Sequence, residues 1–108
     1  DLERDFLDAY NAGYHLYTLR ANVNRANSSI HSKERELESV HDEIRSKEAA
    51  LIAAETTVED RILLIADLKE LSERTGHLEA EIEMLYEERA RHQAELDNYQ
   101  AAVVDFGY

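Results

Sequence analysis

Residues 16–51 read LYTLRANVNRANSSIHSKERELESVHDEIRSKEAAL and carry an apolar side chain at every seventh position. These positions are Leu16, Val23, Ile30, Leu37, Ile44 and Leu51. Because an α-helix turns once in 3.6 residues, a seven-residue repeat returns a side chain to the same side of the helix every two turns. A continuous apolar seam must be covered, so the stretch predicts a helix that packs along a partner helix.

The partner helix is encoded further along the same chain. A second seven-residue repeat comprises Leu64, Leu71, Leu78 and Leu85, and the adjoining core position carries Leu68, Ile82 and Leu96. Continuing the first repeat past Leu51 by sevens leads to polar Ser72 and Glu79, so the apolar phase shifts between the two repeats. Such a shift indicates either a break between two helices or a stutter within one helix.

A capping signal coincides with the shift in phase. Thr56 and Glu59 have the spacing of a capping box, and Thr57 is an equally good N-cap residue. The coincidence favours two helices, and we predict an all-α fold: a long antiparallel two-helix coiled-coil hairpin forming a single domain over residues 1–108. Helix 1 is predicted over about 2–54, the turn over about 55–57 and helix 2 over about 58–102.

The spacing of the seam positions allows two registers between the helices. The first seam has a second row of positions, which are Leu19, Ala26, Lys33, Val40, Lys47 and Ala54. Its two lysines are tolerable there if their stems pack and their ammonium groups reach water. In one register Lys47 faces Arg61 and Lys33 faces Thr75. In the other, Lys47 faces Leu68 and Lys33 faces Ile82.

The charge balance excludes several classes of partner. The chain has 24 acidic residues against 12 Lys and Arg, a net charge of −12, and the second half is the more acidic. Nucleic acids and anionic membrane surfaces both require a basic face, so neither is expected as a partner. The absence of cysteine removes disulfides, thiolate metal sites and thiol nucleophiles. No apolar run approaches the roughly 20 residues of a membrane span, so this segment is not expected to insert directly into a membrane.

Aromatic residues concentrate near the two ends of the chain, which a hairpin brings together. Six of them form the predicted interaction residues: Phe6, Tyr10, Tyr14, Tyr17, Tyr99 and Phe106. They are expected either to form a small core that clamps the open end of the hairpin, or to form a docking surface. The occupant of such a surface would be an upstream domain or a second copy of the chain.

Two histidines have an acidic neighbour at helical spacing. Glu38 and His41 are three residues apart, as in the metal sites of ferritin-like bundles, but those sites need two such pairs and two further glutamates. Glu88 and His92 are four apart, with His92 on the seam near Leu16 or Leu19, where a polar residue can fix register. We predict no catalytic, cofactor-binding or metal site and no enzyme. A metal- or pH-responsive bundle that uses His41 or His92 after dimerisation is the alternative function.

The segment Arg61–Ile65 is apolar nearly all round and is expected to pack where the hairpin closes. Ile62, Ile65 and Tyr86 lie beside the second seam, which predicts self-association into a four-helix arrangement. If the apolar side chains at the turn are instead exposed, a holdase-like chaperone arm is a further alternative.

The segment Phe6-x-x-x-Tyr10-x-x-Gly13, followed by Tyr14-His15-Leu16-Tyr17 and a charged coiled coil, resembles the C-terminal coiled-coil half of the DUF2799 family. Arg61-Ile62-Leu63-Leu64 with Leu68 and Leu71 is similar to that family's second helix. The family comprises uncharacterised bacterial proteins, some of them putative lipoproteins. Its upstream half, which carries the lipidation signal, has no counterpart in these 108 residues.

The resemblance implies a cell-envelope or periplasmic location, and it supplies no catalytic residues. We therefore expect a non-enzymatic structural or protein-interaction module of a bacterial cell-envelope protein. Its expected partners are a second copy of itself, an upstream domain or another envelope protein.

Overall fold

The chain folds into two α-helices joined by a short turn, an all-α helical hairpin. The structure, a computed structural model, describes residues 1–53 and 55–105, the last three as backbone alone. Helix α1 is Leu2–Ile52 and helix α2 is Val58–Asp105. The predicted fold class is confirmed, and one continuous helix with a stutter is wrong. Ala54, where the first helix was predicted to end, and Phe106 lie outside the described residues.

The capping residues explain where each helix begins and ends. At the turn, the backbone N–H of Asp60 donates to Thr57 Oγ1 at 3.1 Å, which makes Thr57 the N-cap of α2. The Thr56 hydroxyl donates to the carbonyl oxygen of Ala50 at 2.5 Å, so it satisfies an acceptor at the end of α1. The backbone N–H of Glu3 donates to Asp1 Oδ1 at 3.1 Å at the start of α1. Of the two N-cap candidates for α2, the structure selects Thr57.

The helical contacts divide into two compact units. One contains residues 1–29 with the described part of α2 from Leu85, and the other contains residues 30–84, including the turn. The first unit has a core of Leu19, Val23 and Leu96, with Leu16 and Tyr99 packed against it. The second has a core of Val40, Leu71 and Leu78, with Leu37 and Ile44 packed against it. Every one of these residues except Tyr99 was assigned to a seam from its spacing.

Ion pairs in the second unit settle the register. Lys33 Nζ lies 2.8 Å from Glu81 Oε2, and Lys47 Nζ lies 3.1 Å from Asp67 Oδ2. Both lysines are therefore beside Ile82 and Leu68, which confirms the second of the two registers and the antiparallel direction. Each half-buried lysine packs its stem in the seam while its ammonium group reaches an acid on α2.

The glycine within each helix has open space around it. A β-carbon added at Gly13 or Gly76 would meet no heavy atom within 4 Å. The sequence suggests that Gly13 allows close approach of another backbone, and within the described part of the chain this is wrong. Each glycine thus weakens its helix through backbone entropy, without a compensating contact inside the described part of the chain.

Gly76→Ala is expected to stabilise the chain by about 0.5–1 kcal/mol, because alanine restricts the unfolded chain and meets no obstacle in α2. Urea unfolding followed by circular dichroism measures the change. Ser72 is exposed and lies about one turn earlier in α2, so Ser72→Ala is the control that introduces alanine without removing a glycine. Destabilisation by Gly76→Ala would show that the backbone at this position is not free to accept a side chain.

Candidate functional site

Four aromatic side chains at the start of α1 are exposed to solvent. We call Phe6, Tyr10, Tyr14 and Tyr17 the aromatic stripe; their exposed fractions are 69%, 63%, 66% and 71%. The spacing of four, four and three residues places them along one face of the helix. The alternative in which these residues form a core is therefore wrong for all four. Their rings stand on the outside of the first unit.

Of the five predicted interaction residues that the structure describes, Tyr99 of α2 alone packs between the helices. Its hydroxyl donates to the carbonyl oxygen of Ala12 at 2.9 Å, and its ring meets that of His15 edge to face, with centroids 4.6 Å apart. The ring also covers the core of the first unit beside Leu16. Tyr99 thus belongs to the α1–α2 contact of this unit, whereas the aromatic stripe does not.

The helical phase explains why the stripe is exposed. Successive residues of a helix are rotated by 100°, so Tyr17 points well away from its buried-side neighbours Leu16 and Leu19. A single partner helix covers one face of α1, and the stripe lies outside that face. Applying this rotation to the seam positions would have identified the stripe as exposed from the sequence.

The charge distribution along α1 is a signal that the net charges of the two chain halves do not show. Residues 9–33 contain no Asp or Glu and carry Arg20, Arg25 and Lys33, although the net charge of the protein is −12. Residues 1–8 contain four acids and a single arginine. The stripe therefore begins in an acidic segment and ends beside a basic one. A shallow cleft of about 460 Å³ on this helix includes Tyr17, Arg20 and Arg25 in its lining.

His92 lies partly buried in the first unit, as its seam position predicts. Its Nδ1 atom is buried and has no hydrogen-bond partner among the described residues, while Nε2 is 3.5 Å from Glu88 Oε1. It lines a cleft of about 170 Å³ with Asn22 and Ala26 of α1. Nearby, Arg89 donates to Asn27 Oδ1 at 3.0 Å and stacks on the Tyr86 ring at 4.6 Å. The second repeat, continued by sevens, would place apolar residues at positions 89 and 92, and polar contacts of Arg89 and His92 replace them there.

The other acid–histidine pair is arranged differently. Glu38 is exposed and His41 is half-buried. Among the side chains that the structure describes, no three of His, Asp or Glu lie close enough together to hold a metal ion.

Apolar side chains near the turn are also exposed, which corrects the expectation for residues 61–65. Ile62, Leu63 and Ile65 are 57–64% exposed, and Leu64 alone of the four apolar residues in this segment is half-buried. One partner helix covers one side of α2, so a segment that is apolar all round must leave the other sides in water. Ile52 and Val58 extend this exposed set, which we call the turn-side patch.

A network of ion pairs links the helices of the second unit on their polar side. Glu36 accepts from Arg74 Nη2 at 3.0 Å and lies 3.7 Å from Lys33, which in turn pairs with Glu81. The hydrogen bond from Arg74 and the nearby charge of Lys33 lower the pKa of Glu36. The hydrogen bond to Glu81 and its charge raise the pKa of Lys33. Both shifts favour the charged forms of the two side chains.

Glu36→Gln is expected to lower the melting temperature at pH 7 and to have progressively less effect in acid. A carboxyl group with a lowered pKa in the folded state stabilises folding above its unfolded pKa, and the stabilisation disappears as the pH falls through the lowered value. The melting temperatures of the variant and the wild type should therefore converge below about pH 4. Calorimetry between pH 3 and 8 measures this, with exposed Glu38→Gln as the control. A constant difference at every pH would contradict the assignment.

Comparisons with known proteins add no relative. No family model matches the chain, and no curated protein or solved structure matches it. Membership of the DUF2799 family stays a prediction from the residues quoted above. None of the described helical segments is long and apolar enough to cross a membrane.

Proposed function

We propose that this chain is a non-enzymatic structural and protein-interaction module that binds its partner through the aromatic stripe. The observation that carries the proposal is the exposure of all four stripe residues beside a core made of aliphatic side chains. Aromatic rings are costly to leave in water and are enriched at the centres of protein interfaces. Covering them with another protein would recover this free energy.

The resemblance to the DUF2799 family supports a bacterial cell-envelope or periplasmic location. There the module would act as an acidic spacer or docking arm. A second copy of the chain is the first partner we propose, and an upstream domain or another envelope protein is the alternative. The four-helix arrangement predicted from Ile62, Ile65 and Tyr86 is one form of self-association, since these side chains are 42–63% exposed on α2.

Concentration-dependent molar mass, measured by light scattering and sedimentation, tests the proposal. The wild type is expected to pass from monomer to a larger species as its concentration rises. Tyr10→Ser combined with Tyr17→Ser should keep the helical circular dichroism and remain monomeric. Val58→Ser combined with Leu63→Ser, two equally exposed apolar residues of the turn-side patch, is the matched control. A wild type that stays monomeric to about 1 mM, or association that survives loss of the stripe tyrosines, would refute the proposed role of the stripe in self-association.

A second candidate function rests on the unpartnered Nδ1 of His92. In this alternative, two copies bring His41 or His92 together into a metal- or pH-responsive bundle. Zinc or iron titration followed by thermal melting tests it. A metal-dependent shift that His41→Ala or His92→Ala abolishes would support this function, and an unchanged melting temperature would end it.

A third candidate rests on the turn-side patch. Exposed Ile52, Val58 and Leu63 offer apolar surface of the kind that a holdase-like chaperone arm presents to unfolded clients. The test is suppression of light scattering by a heat-aggregating client protein, with Leu63→Ser as the variant. Failure of the wild type to delay aggregation would dispose of this function.

A further inference from the structure

The stripe and its neighbours have the spacing of a second coiled-coil seam on the outer side of α1. Phe6, Tyr10, Gly13, Tyr17 and Arg20 follow at intervals of four, three, four and three residues. Gly13, which has open space where a β-carbon would stand, leaves a notch between the rings of Tyr10 and Tyr17. This face thus has a large side chain on either side of the notch at Gly13, and the notch can accept a large side chain from a partner.

The ends of this seam carry opposite charges that are free to pair. Glu3 lies at the beginning and Arg20 at the end, and both are exposed. Within the described residues, neither side chain forms a hydrogen bond or an ion pair. The acidic segment 1–8 and the acid-free segment 9–33 extend the same asymmetry along the helix.

We propose that the partner on this face is a second copy of the chain, docked antiparallel about a two-fold axis between residues 11 and 12 of α1. In one register, Tyr10 of each copy fits the notch at Gly13 of the other, Phe6 lies against Tyr17, and Glu3 is opposite Arg20. The two-fold axis makes every one of these contacts twice. The inference rests on the proposed function and specifies its occupant and geometry.

Charge favours this arrangement over the parallel one, and the exposed aromatic area is large enough for a dimer. A parallel pair in register would place Glu3 against Glu3 and Arg20 against Arg20, which is repulsive, whereas the antiparallel pair joins opposite charges.

Four aromatic side chains of roughly 200 Å² each, about two-thirds exposed, contribute about 500 Å² per copy. A stable interface buries about 800 Å² per partner, so the stripe supplies most of it and flanking residues supply the rest.

Charge reversal tests the pairing. Glu3→Arg and Arg20→Glu should each weaken self-association about tenfold, since each creates two like-charge contacts per dimer. An equimolar mixture of the two variants should regain the wild-type affinity to within about threefold, because every contact in the mixed dimer again joins opposite charges. Arg91→Glu, the same charge change on exposed α2, is the matched control and should leave the affinity unchanged. Sedimentation equilibrium at low salt measures all four samples.

A distance measurement tests the direction of pairing. The chain has no cysteine, so Ser28→Cys provides a single, exposed site for a spin label beyond the proposed contact. In the antiparallel dimer the two labels lie about 33 residues apart along the helix axis, or roughly 50 Å at 1.5 Å per residue. A parallel pair places them about 10–20 Å apart, from an interaxial distance of roughly 10 Å plus the label arms.

The outcomes separate this inference from the proposed function. The antiparallel pairing is overturned if the mixed variants do not regain the wild-type affinity, or if the label distance is short. If association still depends on Tyr10 and Tyr17 in that case, the proposed function is unaffected. A chain that is monomeric at every concentration overturns both the pairing and self-association through the stripe. This result is the one expected if an upstream segment or a different protein covers the stripe. Recovery in the mixture together with the long distance supports the inference.

Discussion

Leu78→Ala is expected to destabilise the chain by about 2–4 kcal/mol. Leu78 is 4% exposed and belongs to the core of the second unit with Val40 and Leu71. Its truncation removes buried methyl groups and leaves a cavity that two facing helices can close only in part. The total stability expected for a chain of this length is about 5–15 kcal/mol, so the loss is a large share of it.

The matched control for this substitution is Leu63→Ala on the same helix. Leu63 is 64% exposed, so the same atoms are removed from a site that is largely in water. We expect a change within about 0.5 kcal/mol. Urea unfolding monitored by circular dichroism measures both variants at a concentration where the wild type is monomeric. Similar losses at Leu78 and Leu63 would mean that the second repeat does not form the core described.

Tyr99→Ala is expected to cost about 2–3 kcal/mol, the second largest effect. The substitution removes a ring that packs on the core of the first unit, the edge-to-face contact with His15 and the hydrogen bond to Ala12. Tyr99→Phe keeps the ring and should cost about 1 kcal/mol, the net contribution of one hydrogen bond. The comparison separates the packing of Tyr99 from its hydroxyl contact.

Tyr14→Ala is the control for Tyr99→Ala, because Tyr14 is 66% exposed. At a concentration where the chain is monomeric, its free energy of unfolding should change by no more than about 0.5 kcal/mol. At higher concentration the cost should grow, since association stabilises the folded state and loss of a stripe residue weakens association. If the cost of Tyr99→Ala also grew with concentration, Tyr99 would belong to the interface between copies and not to the α1–α2 contact.

The opposite behaviour expected of these tyrosines bears directly on function. The cores of both units consist mainly of aliphatic side chains on the two seams, and Tyr99 packs against the core of the first unit. The stripe residues can therefore be changed without removing core contacts. This makes serine substitutions in the stripe a clean test of interaction, because a loss of association would not be a consequence of unfolding.

Much of the fold follows from spacing alone. A seven-residue apolar repeat is a property of the chain itself, and Leu19, Val23, Leu71, Leu78 and Leu96 are buried where their spacing places them. The capping threonines likewise mark the turn, because an N-cap needs a side-chain oxygen at one position in sequence. The two helices and their inward faces were therefore determined by the sequence.

The register and the packing of Tyr99 were decided by tertiary structure. Lys33 and Lys47 fit either register by spacing, and only the positions of Glu81 and Asp67 on the facing helix select one. The aromatic residues gather near the chain ends in sequence, yet Tyr99 packs and Tyr17 does not, because one partner helix covers only one side of α1. The part of α1 that Tyr99 meets, Ala12 and His15, depends on the register, and a periodic pattern in one chain segment does not contain this information.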